Sequence, residues 1–148
     1  MPRIVNVLDL TVPAELAWSV VGDLAGAASW IPGVVSARVD GDLRVCTTAD
    51  GVEIRERISE LSAEQRSYRY QHLATPAPVL NSRGSLRVEP VGSGCRVEWL
   101  AEFSPADPTH ADEITAIMTG AFEQAAQSLR SRIEAVSADN ARRSSSAS

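Results

Sequence analysis

The chain has 148 residues, 44% hydrophobic and 22% charged, the size and composition of one ordinary globular domain able to build its own core. Its formal net charge of −5 tells against nucleic acid and anionic membrane surfaces as partners. All 14 basic residues are arginine, which excludes chemistry that needs a lysine base or Schiff base.

The cysteines Cys46 and Cys95 have no CxxC spacing, and the histidines are His72 and His110. That is too few soft ligands for a structural zinc site, so neither a metal nor a cofactor is expected. The two cysteines fall on strands that are not neighbours, and free buried thiols are expected. "MPRIVNVLDL" passes straight into an alternating segment without a basic and apolar leader. No apolar run approaches the ~18 residues of a membrane span. A cytoplasmic location is expected.

In chain order, "RIVNVLDLTV" (3–12) is β-branched and reads as a strand. "VPAELAWSVVGDLAG" follows with Pro13 suited to a first helical turn, and reads as a short helix broken near Gly22 and resumed to about Ser29. "SWIPG" (29–33) is a turn. Six strand-like runs come next. "VVSARVD" (34–40) and "LRVCTT" (43–48) flank the hairpin signal "GD". After "ADG" (49–51) comes "VEIRERISEL" (52–61), and after "SAEQ" (62–65) comes "RSYRYQHL" (66–73). The Pro-rich loop "ATPAPVL" (74–80) precedes "NSRGSLRVEPV" (81–91), and "GSG" precedes "CRVEWLAEFS" (95–104).

From about Thr109 to Val136 the apolar period becomes helical over roughly seven turns, through Ile114, Ile117, Met118, Ala121, Phe122, Ala125, Leu129 and Ile133. "SADNARRSSSAS" (137–148) has lost its apolar residues and reads as a disordered tail after a 1–136 domain. This order predicts an α+β domain of helix-grip form. A seven-stranded curved antiparallel sheet wraps a long C-terminal helix, with two short helices after strand 1. The concave interface is too wide for side chains to fill, so a cavity is expected there.

Period-two alternation assigns the inner face. In 52–61 it carries Val52, Ile54, Glu56 and Ile58. A carboxylate there must be paired, hydrogen-bonded or neutralised. Glu56 is either satisfied by a neighbouring tyrosine or arginine, or it polarises a ligand group or an ordered water. The arginines on the strands mostly face outward, so the expectation is a carboxyl with a raised pKa, partly protonated near neutral pH. On 66–73 the inner set is Tyr68, Tyr70 and His72, and on 81–91 it includes Ser82, Gly84 and Leu86. Gly84 is expected to leave room for a ligand. On 95–104 the inner set is Cys95, Val97, Trp99, Ala101 and Phe103, with Glu98 outside.

With Trp30, Val45, Ile117, Met118, Ala121, Phe122 and Ala125, these positions describe an aromatic, mostly apolar space with a few polar groups. That is the make-up of a small-molecule pocket. Three loops, 30–33, 48–51 and 74–80, are expected to gather where it opens.

"TVPAELAWSVVGDLAGAASWIPGV", "DGVEIRERI" and the long helix resemble the START-like, birch-pollen-allergen-like superfamily, over residues 3 to about 136. Within it the chain resembles the bacterial polyketide cyclase/dehydrase-like proteins and their relatives, the plant abscisic-acid receptors. "ERI" at 56–58 resembles the receptors' Glu-Arg-Leu, which implies a pocket carboxylate at Glu56; the same comparison puts a second at Glu98, against the alternation. "TADG" (48–51) and "TPAPVL" (75–80) fall where the receptors have gate and latch loops, but those loop sequences are absent. The receptors' ligand-pairing lysine has no counterpart either.

The function expected first is a carrier or binder of one small hydrophobic molecule, such as a lipid, polyketide or isoprenoid-like compound, by a monomer or weak dimer. The alternative is a polyketide cyclase or dehydratase in which Glu56, Tyr70 or His72 moves protons. A third reading, a stress-related partner-binding protein, finds no support in the polar helix face of Glu113, Glu123, Gln127 and Arg130.

Overall fold

The computed structural model describes residues 1–146. Seven strands form one antiparallel sheet in the order β1-β7-β6-β5-β4-β3-β2. They are β1 (Arg3–Leu10), β2 (Val34–Asp40), β3 (Leu43–Thr48), β4 (Glu53–Ser62), β5 (Ser67–Ala74), β6 (Val79–Val91) and β7 (Gly94–Pro105). Between β1 and β2 lie α1 (Ala14–Val21) and a 3-10 helix (Leu24–Ser29); after β7 comes α2 (Ala111–Ser146). This is the helix-grip architecture expected from the order of elements.

Local chemistry accounts for the boundaries. Gly41 takes a positive φ of 61° in the two-residue connection from β2 to β3, the conformation such hairpins require. Pro13 precedes α1, where its missing N–H costs nothing. The Asp107 side chain accepts the Thr109 N–H at 3.0 Å, and Asp112 and Glu113 complement the dipole in the first turn of α2.

β1 lies far from β7 in sequence but pairs with it along its whole length, Val5 opposite Leu100 and Leu8 opposite Val97. That closure brings Leu8, Leu10, Val97 and Trp99 onto the concave face, where Ala125, Leu129 and Ile133 of α2 pack on them. A second cluster joins Ile4, Ala101 and Phe103 to Ile114 and Met118. Helix α2 thus packs chiefly on β1, β7 and α1, and the β3–β5 half of the concave face stands away from it. No described helix is long and apolar enough to cross a membrane.

Three expectations are corrected here. Val52 precedes β4 and is exposed, so the inner face of that strand begins at Ile54. β6 starts at Val79 rather than 81, with a register irregularity between Leu80 and Arg83 where Asn81 has a positive φ of 53°. Residues 137–146, expected as disordered, continue α2. Loss of apolar residues removes a packing face, but a helix already nucleated propagates at little cost. Residues 147 and 148 lie outside the described residues.

Val136 is the last residue of α2 packed against the core, and residues 138–144 are exposed. Deleting residues 138–148 is therefore expected to change unfolding free energy by less than about 0.5 kcal/mol. Urea denaturation of the shortened chain checks this; a larger loss would mean the extension packs on the domain.

Candidate functional site

The uncovered half of the concave face encloses a cavity of about 400 Å³ between α2 and β3–β5. That volume suits a small ligand. One wall is apolar and comes from the helix side: Trp30 and Ile31 of the turn before β2, and Met118, Phe122 and Ala125 of α2, with Trp99 reaching across from β7. Ala121 and Gln124 border it at an exposed position, so they mark its mouth. The other wall is polar and comes from the strands: Arg44 and Cys46 on β3, Glu56 on β4, and Tyr68, Tyr70 and His72 on β5.

The centre of the polar wall is set by the β3–β4 hairpin, whose register puts Arg44 opposite Glu56 and Cys46 opposite Ile54. Arg44 Nε donates to Glu56 Oε1 at 3.1 Å and Nη2 donates to Oε2 at 3.0 Å. This is a two-point pair between side chains that are both nearly inaccessible to solvent. The expectation that the strand arginines leave Glu56 without a partner is corrected, because Arg44 faces inward. Burial opposes the charge of Arg44, yet Tyr68 and Glu56 outweigh it and hold its pKa above the ordinary arginine value. The Cys46 thiol donates to Glu56 Oε1 at 3.7 Å. Burial pushes that thiol up to about 11, with Arg44 pulling the other way and Glu56 adding to the rise. Cys46 and Cys95 are both free and buried.

His72 stands at the edge of this pair, its Nε2 3.8 Å from Glu56 Oε2. Its Nδ1 lies 2.7 Å from Ser82 Oγ, a hydrogen bond whose donor depends on the histidine tautomer. Burial lowers the His72 pKa; the Glu56 carboxylate opposes this and Arg44 reinforces it. The tyrosines differ. Trp99 Nε1–H donates to the Tyr70 hydroxyl at 2.9 Å, and burial raises the pKa of that phenol. The Tyr68 hydroxyl is instead fully buried against Arg44; burial raises its pKa and the guanidinium opposes the rise. Trp99 also meets Trp30 and Phe122 edge to face, at centroid separations of 5.6 and 5.2 Å.

The structure brings together Trp30, Ile54, Glu56, Tyr68, Tyr70, His72, Trp99, Met118, Ala121, Phe122 and Ala125 around the cavity. Four other expected residues stand off it. Val45 is buried, but alternation turns it away between Arg44 and Cys46. Ser82 is buried behind His72 and acts through that ring. Gly84 makes room for Tyr70 rather than for a ligand, since a Cβ there would lie 2.4 Å from the Tyr70 hydroxyl and from the Leu100 carbonyl oxygen. Ile117 is 62% exposed, one helical position away from the row formed by Ile114, Met118, Phe122 and Ala125. Glu98 faces out, as the alternation requires.

Arg44 and Cys46 were missed, although pairing β3 and β4 outward from their turn at 49–51 puts both on the Glu56 face. Of the three expected loops, the 30–33 turn and Thr75 border the cavity; Ala49 N–H donates to the Gly33 carbonyl at 3.3 Å without bordering it.

Residues 1–134 match the family described as polyketide cyclase / dehydrase and lipid transport. The chain belongs to that family. No curated protein matches it in sequence. Among solved structures it is similar to the protein XoxI from Bacillus cereus, with 23% identity over 90% of this chain and 96% of that one and a TM-score of 0.80. It is similar to the di-domain ARO/CYC BexL from the BE-7585A biosynthetic pathway, with 18% identity over 93% of this chain and 48% of that one and a TM-score of 0.81. It is also similar to norcoclaurine synthase from Thalictrum flavum, in complex with dopamine and hydroxybenzaldehyde; identity is 19% over 86% of this chain and 83% of that one, with a TM-score of 0.66. At these identities the likenesses establish a shared fold, consistent with family membership.

Two expected outcomes follow from the polar wall. Glu56→Gln leaves the Arg44 charge buried without its partner and is expected to cost about 3–5 kcal/mol, whereas Arg44→Met combined with Glu56→Leu recovers most of that loss. Urea unfolding of the single and double variants measures the coupling, and purely additive losses would contradict it. For His72, a folded pKa below 6.5 means the unfolded chain takes up the proton first. Its contribution is full above pH 6.5 and is lost as pH falls toward the depressed folded value. Stability of the wild type should fall more steeply than that of His72→Gln between about pH 7.5 and 5.5. Parallel profiles would remove His72 from the account.

Proposed function

We propose that the protein binds one small, largely apolar molecule in the cavity between α2 and the β3–β5 half of the sheet. The observation that carries this reading is a space of about 400 Å³ with an aromatic and aliphatic wall facing a compact polar one. Membership in a family described by both cyclase/dehydrase and lipid transport supports a ligand of this kind. So does the fold shared with norcoclaurine synthase, whose structure holds dopamine and hydroxybenzaldehyde.

A cyclase or dehydratase reading is the alternative, and it rests on His72. Of the three groups expected to move protons, Glu56 has both oxygens engaged by Arg44, and the Tyr70 hydroxyl holds the Trp99 N–H. His72 keeps an imidazole whose pKa burial lowers, and Nε2 makes no bond shorter than its 3.8 Å approach to Glu56. One such group suffices to hold or pass a proton, but not to supply an acid and a base together. Binding is the reading the geometry supports best.

Ala121→Trp places a large ring at the mouth of the cavity without disturbing buried packing. It is expected to weaken binding of the neutral fluorescent probe N-phenylnaphthylamine by at least about tenfold, about 1.4 kcal/mol. Circular dichroism and the thermal midpoint should be unchanged. Wild-type affinity in this variant would place the site elsewhere.

A further inference from the structure

Of the six residues on the polar wall, Arg44, Cys46, Glu56, Tyr68 and Tyr70 are buried, and His72 stands more open. The Arg44 and Glu56 side chains are 3% and 6% exposed, against 18% for His72. The His72 ring borders the cavity and meets Tyr70 edge to face, with centroids 5.3 Å apart. Its Nε2 stands 3.8 Å from Glu56 Oε2, too far for a hydrogen bond. Nε2 is not among the sealed polar atoms that lack a partner, so it is open to a molecule the size of water.

What Nε2 offers such a molecule depends on where the neutral ring carries its proton. Strict alternation from Val79 would turn Ser82 outward. The irregularity between Leu80 and Arg83, with Asn81 at a positive φ of 53°, leaves Leu80 and Asn81 both exposed and turns Ser82 inward. One position beyond the Gln71–Arg83 pair, Ser82 is thus beside His72, its Oγ 2.7 Å from Nδ1. A serine hydroxyl can donate or accept in that bond. The Glu56 carboxylate decides between the two, because a lone pair on Nε2 would face its negative oxygen, whereas an N–H is attracted to it. Arg44 acts on the ring in the opposite sense, but more weakly than Glu56. Ser82 then donates to Nδ1, and the proton is on Nε2.

We propose that His72 is the specificity-determining residue of the cavity: as the Nε2-protonated tautomer it donates to a neutral acceptor oxygen, a carbonyl, on an otherwise apolar ligand. The proposal rests on the binding function above and adds the chemical class of the ligand. A ligand carboxylate at the same place would lie close to the Glu56 carboxylate, with the Arg44 charge already matched.

The second histidine of the chain is His110, so His110→Gln leaves one imidazole to observe. At about pH 8 that ring is neutral. Nitrogen–proton NMR correlation should then find the His72 proton on Nε2, and a proton on Nδ1 overturns the proposal. This measurement keeps His72 in place, so it tests the proposal even where a His72 variant does not fold. Acetonaphthone and ethylnaphthalene present one apolar body with and without a carbonyl oxygen, and their binding is read by the fluorescence of Trp30 and Trp99, which border the cavity. His72→Phe should weaken acetonaphthone binding about fivefold, the effect of one hydrogen bond, and leave ethylnaphthalene binding as it was. Unchanged acetonaphthone binding in His72→Phe, an equal loss for both probes, or naphthoate binding the wild type more tightly than acetonaphthone would overturn the proposal and leave the cavity reading intact. If neither acetonaphthone nor ethylnaphthalene binds the wild type, the cavity reading falls and this proposal with it.

Discussion

A nearly straight helix can follow a curved sheet over only part of its width. In this chain α2 is held at the β1–β7 side, where Leu129 and Ile133 are wholly buried against Leu8, Val97 and their neighbours. The sheet then curves away through β5, β4 and β3 with nothing of comparable length to cover it. Close packing on one side therefore produces a gap on the other. The aromatic side chains at the border, Trp30, Trp99 and Phe122, partly fill that gap and line the rest. The cavity is a result of how the core closes, which is why it survives with no motif to mark it.

Within that gap the polar residues are organised by strand pairing. Antiparallel register puts directly opposed side chains about 4.5–5.5 Å apart at Cβ, within reach of a fork-to-fork arginine–carboxylate bond. Arg44 and Glu56 are such neighbours. A buried pair of this kind adds little net stability compared with well-packed apolar residues, because both ions lose their hydration. Its effect is instead on the character of the wall: it pins two long side chains, holds the Cys46 thiol, and sets a charged edge beside His72. The aromatic residues are tied in the same way, with Trp99 bonded to Tyr70 and Gly84 leaving the space Tyr70 needs. Ser128 Oγ donates to the Trp30 carbonyl, joining the turn at the cavity to α2 across 98 positions of sequence.

Much of this was legible in the residues. The strands alternate cleanly enough that Tyr68, Tyr70, His72 and Trp99 fall on the inner face and Glu98 on the outer one, and short polar or proline-rich turns separate them. What was not legible depends on three-dimensional phase. In Leu43–Thr48 the residues Arg44, Val45 and Cys46 are all buried, so burial does not tell which of them face the cavity, and the answer lay in the register of the hairpin with β4. Ile117 belongs to the apolar repeat of α2 but misses the packed row, because the helix touches the sheet along a strip narrower than its apolar stripe. The role of Gly84 required knowing which side chain sits opposite, since a strand glycine admits a ligand or a neighbour equally well.

That the inward-facing cation is arginine has a physical consequence for whatever occupies the cavity. A lysine beside a buried acid can surrender its proton and leave two neutral groups, whereas a guanidinium keeps its charge under all physiological conditions. The Arg44–Glu56 pair is consequently a permanent dipole, fixed in direction by two adjacent strands and weakly screened by the apolar wall opposite. Its field acts across a space only as wide as a small molecule. An uncharged occupant with an uneven distribution of electrons would therefore be aligned before it makes any close contact, one end favoured over the other.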